Sequence, residues 1–78
     1  MTNLRWGYTL HHLHTLVRAG IHQRTQYALC DIDERYAAGW HAAVELLYTA
    51  DRQPTATDLV RSARDAADYE TRRAAEHR

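Results

Sequence analysis

Lysine and phenylalanine are absent from this chain, and cysteine and proline occur once each. A lone Cys30 excludes a disulfide within the chain and fits a reducing, cytoplasmic setting. No apolar run approaches the roughly 18 residues that cross a bilayer, so no membrane span is expected. Met1-Thr2-Asn3-Leu4-Arg5-Trp6 has no charged stretch followed by an apolar core, so no secretory signal is read there. All ten basic residues are Arg, a bias of GC-rich coding. Arginine's planar fork also suits phosphate and carboxylate contacts.

What is present is a helical composition, with thirteen Ala and only three Gly in 78 residues. A chain this short makes one domain and buries roughly 60–65% of its unfolded surface, so its core is small. The net charge is zero, but it is unevenly spread. Residues 1–30 hold Arg5, Arg18 and Arg24, four of the six histidines and no acid, while all ten acids follow. The first third is therefore the natural anion-facing part. Charge balance within the fold, or between two copies, accounts for the same asymmetry.

Three helices are expected. Helix 1 spans about residues 3–19, because Trp6, Leu10, Leu13 and Val17 recur at spacings of four, three and four. Thr2 or Asn3 would cap it and Gly20 would stop it. Helix 2 spans about residues 31–49, with acids in its first turn and an apolar stripe of Ile32, Tyr36, Trp40, Ala43, Val44 and Leu47. Helix 3 spans about residues 55–76, and Thr55-Ala56-Thr57-Asp58 opens it as a capping-box variant. Residues 20–30 read as a loop with its last few residues helical, or as an earlier start of helix 2 capped by Thr25. Residues 70–78 are helix-competent but have nothing apolar to bury, and read as a frayed tail or as a lead into more protein. The fold class is all-α: a small bundle of three main helices, the second and third in helix-turn-helix-like order. Its core should contain Trp6, Leu10, Leu13, Val17, Tyr36, Trp40, Val44, Leu47, Leu59 and Ala63.

No constellation of catalytic type emerges. His11, His14 and Arg18 share one flank of helix 1. Zinc would need two further ligands there, and Cys30, His22 and His41 stand at no compact ligand spacing. Cys30 has no CxxC partner and no identifiable base, so it reads as a small buried hydrophobe. Asp31, Asp33 and Glu34 read as complements of the helix dipole. His41 and Glu45 read as a surface pair. On helix 3, Arg61, Asp65, Asp68 and Arg72 form a compensated face, with Asp68 paired to Arg72. Such a face lacks the unbalanced positive charge that DNA contact needs. Tyr8, Tyr48 and Tyr69 fall off or at the edge of the apolar stripes, as interface anchors or as plain exposed rings.

Asp33-Glu34-Arg35-Tyr36-Ala37-Ala38-Gly39-Trp40, Val44-Glu45-Leu46-Leu47-Tyr48 and Pro54-Thr55-Ala56-Thr57-Asp58-Leu59-Val60 resemble the opening domain of sigma-factor-like proteins. These occur in actinobacterial plasmids, integrative elements and phages, and the helix order is similar to sigma-factor region 2. The resemblance covers about residues 31–67. It implies a transcription-associated module that engages RNA polymerase or promoter DNA, either as a fragment or as a stripped-down relative. No functional residue of that family carries over. The expectation is thus a non-enzymatic module with no cofactor, metal or small-molecule substrate. It would contact DNA or RNA polymerase through Arg5, His11, His14, Arg18, His22 and Arg24. The alternative is a helical homo-oligomerisation or partner-binding domain with no nucleic-acid role.

Overall fold

In a computed structural model that describes residues 4–21 and 32–76, the chain is an all-α bundle. A 3-10 turn at Arg5–Gly7 leads into α1 (Leu10–Ile21), α2 (Ile32–Thr49) and α3 (Ala56–Glu76). The expectations at Thr2, Asn3, His22, Arg24, Thr25, Cys30 and Asp31 lie outside the described residues.

Helix 1 does not run from residue 3. Trp6 and Gly7 both take left-handed backbone angles, φ 68° and 81°, and no right-handed helix passes through such a pair. Gly7 therefore marks a break in the expected helix 1. Thr9 caps α1 instead, its Oγ1 accepting from the His12 amide at 3.0 Å. The non-glycine left-handed angle at Trp6 costs on the order of 1–2 kcal/mol, and tertiary contacts offset it. The Trp6 indole Nε1 donates to the Leu47 carbonyl at 2.9 Å, and Arg5 Nη1 reaches the same oxygen at 3.3 Å. The Arg5 guanidinium also lies over the Trp6 ring at 4.6 Å. Leu47 is in the last turn of α2, whose carbonyls lack intrahelical donors and whose sequence supplies no cation. The N-terminal segment thus caps a distant helix.

That break also redirects Tyr8. The sequence pattern placed it off the stripe, but it is buried and its hydroxyl donates to the Pro54 carbonyl at 2.7 Å. Leu13, Val17 and Ile21 of α1 meet Ala43 and Leu47 of α2 and Leu59, Ala63 and Ala67 of α3 in the core. Small residues set the spacing. A Cβ on Gly20 would lie 2.6 Å from the Val60 carbonyl oxygen, and one on Gly39 3.2 Å from that of Ala63. Gly20 is therefore not a helix stop; it is where α1 touches the α3 backbone.

Of the expected core, Leu13, Val17, Leu47, Leu59 and Ala63 are buried. Trp6, Tyr36, Trp40 and Val44 pack against the core only partly buried, and Leu10 is 50% exposed. A buried arginine was not expected. Arg35 is 3% exposed, donates from Nη2 to the Ile21 carbonyl at 3.3 Å, and faces Asp68 at 4.0 Å. Asp68 therefore faces α2, toward Arg35, in place of the expected pairing along α3 with Arg72. α3 opens with the reciprocal capping box, Thr55 N to Asp58 Oδ2 at 3.0 Å and Asp58 N to Thr55 Oγ1 at 3.1 Å. It continues as helix to Glu76, as the expected bounds of helix 3 have it. Thr71 is buried there, with its hydroxyl turned back to the Ala67 carbonyl.

Candidate interaction groove

The first turns of α1 lie beside the first half of α2, with Leu10, His11 and His14 beside Tyr36 and Trp40. These five residues line an open groove of about 380 Å³. Its floor is aromatic: Tyr36 and Trp40 stack with ring centroids 6.4 Å apart and an interplanar angle of 17°. Four residues apart on one helix, they share a face. The His14 ring sits 5.3 Å from the Tyr36 ring, and His14 Nδ1 and the Tyr36 hydroxyl share a hydrogen bond. Burial pushes the Tyr36 phenol above its ordinary pKa, with the nearby Arg18 guanidinium pulling the other way, so it stays a neutral phenol near neutral pH.

The sequence grouped Arg5, His11, His14, Arg18, His22 and Arg24. The fold brings together His11 and His14 in the groove wall, with Arg18 close enough to act on Tyr36. Arg5 is apart from them. Its contact, Leu47, is seven residues beyond Trp40 along α2, roughly 10 Å at the helical rise. His22 and Arg24 lie outside the described residues. By periodicity Leu10, Tyr36 and Trp40 fall on the core stripes. A helical wheel gives the side of a helix but not the depth at which a neighbour leaves it uncovered, so the groove was not legible.

Elsewhere the chemistry is sparse. Among the described residues no three His, Cys, Asp or Glu side chains are grouped to hold a metal ion. No described helix is long and apolar enough to cross a membrane. His41 and Glu45 are exposed, and among the described residues they form no ion pair with each other. Asp65 meets the adjacent Arg64 at 3.6 Å rather than Arg61. Tyr48 and Tyr69 are exposed, at 52% and 56%. No family model matches this chain, and neither a curated protein nor a solved structure shows significant similarity to it.

Proposed function

We propose that this chain is a non-enzymatic binding module that holds another polypeptide in the groove between α1 and α2. The observation that carries this reading is an exposed leucine beside two half-buried, stacked aromatic rings. Large apolar side chains left open in a concave wall are the usual anchors of protein interfaces. The likeness of residues 31–67 to sigma-factor-like proteins makes RNA polymerase the first partner to try. A nucleic-acid reading stands second, favoured by α1 carrying Arg18, His11 and His14 with no carboxylate.

Isotope-labelled protein titrated separately with RNA polymerase and with duplex DNA separates the two. Protein binding should broaden or shift the Trp40 indole and Leu10 methyl signals, and Leu10→Asp should abolish the effect. Binding to DNA that weakens steeply with salt and is lost in Arg18→Gln, with the Leu10 methyls unmoved, would reverse the order.

A further inference from the structure

We propose that the segment received by the groove is an amphipathic helix whose apolar residues are flanked by carboxylates. This rests on the protein-binding reading above and specifies the partner's chemistry. The floor of Leu10, Tyr36 and Trp40 asks for apolar side chains at helical spacing. The α1 wall supplies His11 and His14, with Arg18 one turn further, and α1 contains no acid. Of the acids of α2, Glu34 and Glu45 fall about 160–180° around the helix from Tyr36 at 100° per residue, and so on the opposite side, while Asp33, three residues before Tyr36, falls about 60° from it. No residue of α3, which carries most of the remaining described acids, lines the groove.

The α1 wall is thus free of acids beside an apolar floor. It favours a negative segment and disfavours a positive one. A second copy docking groove to groove would set Arg18 and the histidines against their own counterparts, since a two-fold interface uses the same patch twice. An extended nucleic acid strand would set phosphates over a mainly apolar surface that offers one permanent cation.

Three titrants applied to the full chain test this. Two are synthetic helical peptides with an identical Leu face, one flanked by Glu and the other by Lys. The third is duplex DNA. The Glu peptide should shift the Trp40 indole and Leu10 methyl signals and bind roughly tenfold more tightly than the Lys peptide at about 50 mM salt, where surface charges are poorly screened. The gap should shrink as salt rises. Arg18→Gln should close most of it, weakening the Glu peptide and, with a repelling charge removed, strengthening the Lys peptide slightly. Leu10 is exposed, so Leu10→Asp should fold normally by circular dichroism and bind neither peptide.

Equal binding of the two peptides would overturn the carboxylate assignment and leave the protein-binding reading standing. Failure of both peptides to move the groove signals would sink that reading as well. Groove signals moved by DNA alone would assign the surface to nucleic acid. A dimer in sedimentation that Leu10→Asp dissolves would assign it to a second copy.

Discussion

Gly20 and Gly39 both sit where helices approach most closely, yet a methyl group would meet different things at each. At Gly20 it would strike the Val60 carbonyl oxygen at 2.6 Å, a backbone atom that moves only if α3 moves. Gly20→Ala should therefore cost at least the ~1–3 kcal/mol of ordinary overpacking. At Gly39 the nearest atoms lie at 3.2 and 3.3 Å, so small shifts suffice. There the gain in helix propensity, about 1 kcal/mol, offsets part of the crowding. Thermal melts should rank Gly20→Ala well below Gly39→Ala, and equal melting points would show that α1 and α3 are not in close contact. Trp40 is read differently for a related reason. Its partial burial makes Trp40→Ala cost less than the ~3–5 kcal/mol of a fully buried Trp, while groove binding is lost. A loss of the full amount would return Trp40 to the core.

The capping box is the device that begins α3. Thr55→Ala should destabilise by roughly 0.5–2 kcal/mol and Thr55→Asp should be nearly neutral, as read from urea midpoints. The backbone amide of Thr55, then its hydroxyl, hold the Asp58 carboxyl below its usual range, with a smaller contribution from Arg61. A depressed folded pKa stabilises above the unfolded value of about 3.9 and loses that contribution as pH falls through the folded value. The stability difference between the parent and Asp58→Asn should therefore be constant near neutral pH and shrink as melts are taken to lower pH. A difference that grew with acid would contradict the box. α2 and α3 were legible because their signals are local: a stripe at helical spacing, Pro54, and a threonine three residues before an aspartate. The start of α1 was not. Its break at Trp6 is held by the Leu47 carbonyl, 41 residues away in the chain, and no nearby residue announces it except Gly7. Arg35 escaped notice because a charged side chain in the first turn of a helix ordinarily faces water. The site followed the same division. The α1 flank of His11, His14 and Arg18 was readable from spacing, but the aromatic floor needed the actual separation of α1 from α2.

At the scale of the whole molecule, Arg35 joins the three helices, touching the last carbonyl of α1 and Asp68 of α3 from within α2. Asp68→Ala should cost about 2 kcal/mol, less than a fully buried pair because Asp68 keeps some exposure. Much of that loss should be recovered when Arg35 is simultaneously replaced by Met, and a strictly additive double variant would show that the pair is not coupled. Arg35 and the Arg5–Trp6 pair share one design: the C-terminal carbonyls of α1 and of α2 are each closed by donors from another part of the chain. Helix ends are normally the first places to open, and their amides exchange with solvent long before a protein unfolds. Here the final turn of neither helix can open without breaking contacts held elsewhere. The amides of Ile21 and Ala50 should exchange at the rate of global unfolding, giving a molecule of this size a single cooperative unit rather than fraying ends. Trp6→Phe, which keeps a ring but removes the donor to Leu47, should cost about 1 kcal/mol and release Ala50 to fast local exchange while leaving Ile21 slow.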